Sequence, residues 1–234
     1  MNNKHTYIQI AIDGPGSAGK STLAKGAAAK LAETIDCVYV DTGALYRAVG
    51  LYMLRHGVSL DDAEGIAHRA GEARVDVRYV DGIQRVFLCG EDVSQAIREN
   101  EVSAAASAVS AVPAVRKILM ARQREIAAGS SVVMDGRDIG TKVLPDAPVK
   151  VFLTASAEVR ARRRFEELSA KGQPVPYERL LEEIRQRDHN DATRAASPMV
   201  QAADAQLLDS SDMTVEQVVA AIVAMAREKM EGRR

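Results

Sequence analysis

Gly14, Gly19, Lys20 and Ser21 stand in the spacing G-x-x-x-x-G-K-[ST] within Gly14-Pro15-Gly16-Ser17-Ala18-Gly19-Lys20-Ser21-Thr22. Those residue types in that order suit one task, holding the phosphates of a nucleoside triphosphate. Glycines let backbone N–H groups turn inward around an anion, and a following helix N-terminus adds a fixed positive end. The Lys20 ammonium would reach the β- and γ-phosphates, and the Ser21 hydroxyl would ligate Mg²⁺. Four fixed positions are a weak signal alone, so the context carries the reading. Tyr7 to Asp13 before the loop reads as a buried strand, and Leu23 to Leu31 after it reads as a helix.

A second group of chemical residues follows Pro176. The apolar stripe Leu180, Leu181, Ile184 continues at helical steps into Arg187, Asp191 and Arg194. One face thus begins apolar and ends with two arginines flanking a carboxylate, so it points toward the protein body. Arg179, Glu183 and Arg185 read as a solvated ladder, where such pairs contribute only about 0.3–0.5 kcal/mol each. Upstream, Arg160, Arg162, Arg163 and Arg164 form a basic cluster, and spacing does not say which would touch phosphate. Arginines aimed at one point, with carboxylates between them, suit phosphoryl transfer.

The elements that must position these groups are short strands. Val38–Val40 ends at Asp41, Val132–Met134 at Asp135, Val149–Leu153 at Thr154, and Gln206–Leu208 at Asp209, with helical patterns between them. Short, apolar, β-branched runs alternating with helices predict a doubly wound parallel α/β sheet. Ligands of such sheets bind beyond the carboxyl ends of the strands. Asp13, Asp41, Asp135 and Thr154 would then lie along one rim beside the loop.

Between Asp41 and Asp135 the chain is far longer than one crossover needs. Ala44–His56 and Leu60–Ala73 read as helices. Val75–Val80 and Arg85–Leu88 alternate around Asp81-Gly82, a hairpin signal. Val93–Ser110 is helical and Ala-rich, and Val115–Ala128 is a helix with Pro113 near its start. Ala157–Ala170 and a segment from Tyr177 toward Arg194 are helices separated by 171–176, and Thr214–Gln217 opens the last helix with a capping box.

Composition narrows the function. Thirty-one basic against thirty-two acidic residues leave a net charge of −1, which argues against coating nucleic acid. Cys37 and Cys89 form no CxxC pair and suggest packed thiols in a reducing compartment. No signal-peptide core is evident, and the longest apolar run, 218–226, is too short to span a bilayer. A cytoplasmic, monomeric protein with no membrane partner is expected. A GTPase switch is disfavoured: Asp62-Ala63-Glu64-Gly65 has no preceding strand, and Thr141-Lys142-Val143-Leu144 lacks the final Asp of a guanine-reading element.

With Gly14–Thr22, the segments Asp41-Thr42-Gly43-Ala44-Leu45-Tyr46-Arg47, Gly90–Ser94, Asp135-Gly136-Arg137-Asp138-Ile139-Gly140-Thr141 and Arg187-Asp188-x-x-Asp191-x-x-Arg194 resemble bacterial cytidylate kinases, in order and spacing, over nearly the whole chain. Thr42 departs from the Ser common there, and the match leaves out residues 1–6, expected to be frayed. The resemblance implies a P-loop kinase with a five-stranded sheet. The core would be 1–60 and 112–234, with an Arg-rich helical lid at about 158–194 and a small α+β insertion for the nucleoside monophosphate at about 61–111. It implies transfer of the ATP γ-phosphate to CMP or dCMP with Mg²⁺. Gly14, Pro15, Gly16, Ser17, Ala18, Gly19, Lys20, Ser21 and Thr22 would hold ATP, with Ser21 on the metal. Arg47 and Arg137 would hold the CMP phosphate, with Arg194 near it, and Thr42 would be among the substrate-binding residues. Ser107, Arg116 and Asp138 would read cytosine, and Arg187 and Asp191 the ribose. Lys20, Arg137 and Arg194 would carry catalysis.

Overall fold

The computed structural model describes residues 7–232 except 171 and 174, so the frayed end expected at 1–6 lies outside the described residues. The chain divides into two compact units, 1–37 with 131–234, and 38–130.

The first unit is built on β1 (Gln9–Asp13), which enters the phosphate loop and then α1 (Lys20–Ala32). β2 (Cys37–Asp41) carries the chain out of this unit. Five strands form one sheet in the order β2-β6-β1-β7-β8, where β6 is Ser131–Gly136, β7 Val149–Thr154 and β8 Gln206–Asp209. β1 runs parallel to β6 and to β7, and β8 runs parallel to β7. The doubly wound parallel sheet expected from the sequence is therefore the observed architecture. All six residues of β6 are buried, as a strand covered on both faces requires. Ile10, Ile12, Leu31, Met134, Leu153 and Ile222 are among the largest fully enclosed side chains.

Three further helices complete the unit: α6 (Ala157–Ala170), α7 (Tyr177–Thr193) and α8 (Val215–Glu231). The capping box at Thr214 is formed, with its hydroxyl accepting from the Gln217 N–H. On α7 the stripe runs inward as expected at Leu180, Ile184 and Asp191, while Arg187 is exposed.

The second unit has its own core. Leu45, Met53, Ile66, Ile97 and Leu119 are almost wholly enclosed among α2 (Thr42–Arg55), α3 (Ala63–Arg69), α4 (Asn100–Ser110) and α5 (Pro113–Gly129). The hairpin of β3 (Val75–Val80) and β4 (Ile83–Leu88) turns through Asp81 and Gly82, both at positive φ, and β4 adds the two-residue β5 (Glu91–Asp92). That turn geometry matches the strands' right-handed twist.

Two element boundaries and one cysteine differ from expectation. α3 is shorter than the Leu60–Ala73 pattern because Asp62 caps it, accepting from the Gly65 N–H at 2.9 Å. The Asp-x-x-Gly match at 62–65 is thus a helix cap. The expected helix 93–110 splits into a 3₁₀ turn, Ala96–Arg98, and α4, because Glu99 is extended. Cys89 is exposed rather than packed, whereas Cys37 is buried and its thiol is pushed up to about 12 by desolvation and then by Asp36. Both are free thiols, and among the described residues no single helix is long and apolar enough to cross a membrane.

Candidate active site

The phosphate loop is held open by geometry that only glycine tolerates at its start. Gly14 has φ 146°, and a Cβ there would sit 2.0 Å from the Leu153 carbonyl oxygen. Gly19 is left-handed and ends the loop where α1 begins. The Lys20 ammonium is buried and donates to the Pro15 carbonyl at 2.6 Å, spanning the loop. Burial, then the Arg137 charge, holds Lys20 well below the ordinary lysine range. Negative charge brought beside the ammonium would oppose this depression. Ser21 Oγ donates to the Asp135 carboxylate at 3.0 Å, placing a hydroxyl and a carboxylate side by side at the end of β6. Two hard oxygen donors of this kind fit Mg²⁺ better than a soft metal.

Beside the loop lies an interlocked ion network within the same unit. Arg137 Nε donates to Asp191 Oδ2 at 2.8 Å. Arg194 lies 3.6 Å from Asp191 and 3.8 Å from Asp138, with all three side chains nearly enclosed. Burial opposes ionisation of Asp191, yet Arg137, Arg187 and Arg194 outweigh it and hold the carboxyl below its usual range. A Cβ on Gly16 would stand 3.5 Å from both Arg137 Nη2 and Arg187 Cδ, so this loop residue lies immediately beside the network. The structure thus brings Lys20, Ser21, Arg137, Asp138, Arg187, Asp191 and Arg194 together in the first unit.

The remaining candidates belong to the second unit. Asp41 caps α2 by accepting from the Ala44 N–H at 2.9 Å, receives Arg98 Nη2 at 3.0 Å, and has Arg47 at 3.8 Å. Thr42 follows it, buried. Arg116 is buried rather than superficial: its guanidinium lies 5.5 Å from the Tyr46 ring centre and donates to the Ser110 carbonyl at 3.1 Å. Ser107 is half-buried on α4, where its carbonyl accepts from Ser110 Oγ. A cavity of about 540 Å³ in this unit, bordered by Tyr52, His56 and Cys89, involves none of the candidate residues.

Spacing put Asp13 on the rim and Arg163 in a basic cluster but showed neither residue's partners, and it gave Arg98 no role. Asp13 accepts the N–H groups of Ile139 and Gly140, both at 2.7 Å, and so anchors the turn that follows Asp138. Arg98 was legible only as an arginine in a helical stretch. A cavity of about 600 Å³ opens beside Gly19 and Thr22, bordered by Arg163, Ser210 and Met213. Arg163 Nη2 donates to the Ser210 carbonyl at 2.7 Å, closing one wall. Nothing in spacing links α6 to the segment after β8. Of the other arginines on α6, Arg162 lies 5.9 Å from the Tyr177 ring centre, Arg164 pairs with Glu167 in solvent, and Arg160 is buried.

Asp13 also supplies a pH dependence. Burial pushes its carboxyl up from 3.8 to about 6, against the two N–H bonds that favour the anion. The folded protein therefore holds this proton more tightly than the unfolded chain. The corresponding stability is fully present below the unfolded value and is lost as pH rises through about 6. Relative to Asp13→Asn, the wild type is expected to gain about 2 kcal/mol between pH 7.5 and 4.5 in urea melts. A difference between the two proteins that stays flat with pH would refute this role.

A phosphate loop at the end of a central parallel strand, flanked by arginines locked onto buried carboxylates, defines a P-loop kinase. The comparisons agree and are narrower. The cytidylate kinase family model matches residues 10–228. A cytidylate kinase from Caldanaerobacter subterraneus subsp. tengcongensis is 51% identical over 96% of this chain and 97% of its own length. One from Pelotomaculum thermopropionicum is 52% identical over 94% and 96%. A solved structure of an uncharacterized protein from Eubacterium ventriosum, at 13% identity, has a TM-score of 0.50 over 94% of this chain and 98% of that one, a likeness of fold alone. The chain belongs to the cytidylate kinase family.

Proposed function

We propose that this protein transfers the γ-phosphate of ATP to CMP or dCMP, yielding ADP and CDP or dCDP. The observation that carries the reading is the placement of the Arg137–Asp191–Arg194–Asp138 network immediately beside the phosphate loop at Gly16, within one compact unit. A donor site alone would need the loop. Guanidinium groups held rigid beside it, at a carboxylate-lined surface, suit a phosphate acceptor.

Residues 14–22 hold the triphosphate, with Lys20 on its terminal phosphates. The cavity bordered by Arg163, Ser210 and Met213 has the size and position for the donor base. Mg²⁺, when bound, would neutralise phosphate charge; Ser21 would be its protein ligand, with Asp135 accepting that hydroxyl's hydrogen bond. No strong general base is required, since the acceptor is already a phosphate oxyanion. Catalysis is then positioning and charge stabilisation. In the first unit, Arg137 and Arg194 hold the CMP phosphate and share its developing charge, while Arg187 and Asp191 address the ribose. Asp138 accepts from the cytosine N4 amino group. In the second unit, Thr42 and Arg47 serve the acceptor phosphate, and Ser107 and Arg116 offer donors to cytosine O2 and N3. The α6–α7 region acts as the lid and residues 61–111 as the acceptor insertion. Monomeric action in the cytoplasm completes the reading.

Coupled ADP-release assays with CMP, dCMP, UMP and AMP test it. Release with the cytidine acceptors and little with the others is expected. No acceptor-dependent release would make this a nucleotide-dependent binding protein instead.

A further inference from the structure

Arg160 is the one arginine of the α6 cluster that is enclosed, at 4% exposure. Each of its three nitrogens already donates. Nε donates to the Ala155 carbonyl at 2.9 Å, and Nη1 to the Gly16 carbonyl at 3.0 Å and Asp188 Oδ1 at 3.1 Å. Nη2 donates to Asp188 Oδ2 at 2.6 Å. The planar fork thus grips a carboxylate from α7 and, with the same head, a carbonyl of the phosphate loop.

That carbonyl belongs to the peptide joining Gly16 to Ser17. A trans peptide is planar, so its C=O and N–H point in opposite directions. Fixing the Gly16 oxygen toward Arg160 therefore fixes the Ser17 N–H on the other side. Ser17 is left-handed, with φ 59°, a conformation few non-glycine residues hold without support. Phosphate loops work by turning such N–H groups onto an anion.

We propose that Arg160 is a positioning residue that sets the Ser17 N–H for nucleotide phosphate, and that Asp188 holds it in that duty. Arg160 is then an internal brace, and phosphate contact from α6 falls to its neighbours. The inference rests on the reading that the loop holds ATP. Without Asp188 the guanidinium would lose its fork partner and release the Gly16 carbonyl.

The test is calorimetric titration of ADP, and separately of CMP, into the full chain and its Arg160→Ala, Arg160→Lys, Asp188→Asn and Arg160→Ala/Asp188→Asn variants. Arg160→Ala should weaken ADP at least tenfold while CMP affinity stays within twofold. Asp188→Asn should weaken ADP about threefold to fivefold, and the double variant should match Arg160→Ala, because both changes break one unit. Arg160→Lys should recover part of the loss, since an ammonium can reach one partner but not both. If Asp188→Asn tightens ADP, Arg160 is a phosphate ligand that Asp188 restrains, and the proposal is overturned. Equal weakening of ADP and CMP in Arg160→Ala would make it a general structural brace and overturn it too. Should Arg160→Ala fail to fold, Arg160→Lys and Asp188→Asn decide by the same ADP-to-CMP comparison. A wild-type protein that binds ADP normally but shows no CMP-dependent turnover would sink the kinase reading and leave this one standing.

Discussion

Lys20→Ala is expected to lower kcat by roughly a thousandfold while leaving the melting temperature within a few degrees of wild type. The catalytic loss follows from removing the one ammonium enclosed by the phosphate loop. A positioned donor to a transferring phosphoryl group typically contributes about 3–4 kcal/mol in the transition state. The intact fold follows from what surrounds it. Lys20 is penalised by burial and by the nearby Arg137 and Arg187 charges, while the Asp135 and Asp13 charges favour it. Its loss therefore relieves an unfavourable charge at the cost of one hydrogen bond to the Pro15 carbonyl. Coupled ADP assays with thermal melts of the same preparations read both halves. A kcat within tenfold of wild type would remove Lys20 from the chemistry.

Asp138→Ala should lower kcat/KM for CMP by a hundredfold or more and change that for UMP much less. Its carboxylate is buried and lies 3.8 Å from the Arg194 guanidinium, so it is a fixed acceptor. A cytosine amino group satisfies such an acceptor. The uracil O4 in the same place would face it with lone pairs, and a buried polar group left unpaired is what gives base selection its size. In the variant that penalty on UMP disappears together with the benefit to CMP. Arg194 retains Asp191 at 3.6 Å, so the remainder of the network keeps one carboxylate. Steady-state kinetics with both acceptors decide it, and equal losses for CMP and UMP would take Asp138 out of base recognition.

Much of this was legible in the residues because it is local. The phosphate loop has glycine at two of its positive-φ positions, Gly14 and Gly19, and a Lys-Ser pair where a helix begins, and those features fall within one short stretch. The parallel strands were readable because burial on both faces demands uninterrupted apolar runs. The stripe ending in Asp191 and Arg194 was readable from helical periodicity, although it wrongly turned Arg187 as far inward as its neighbours.

Partnerships across long separations were decided by the tertiary structure alone. Arg160 resembled its three neighbours in sequence, yet only it is enclosed, because only it meets Gly16 and Asp188. Asp13 read as one rim carboxylate among several until β1 was set beside β6, which delivers the Ile139 and Gly140 N–H groups to it. Even the opening motif changes in this light. By itself the sequence determined a loop able to hold phosphate, since backbone conformation at glycine is a local property. Which side chains brace that loop, and which carboxylates hold Arg137 and Arg194, depends on packing between distant segments, whose geometry no local spacing records.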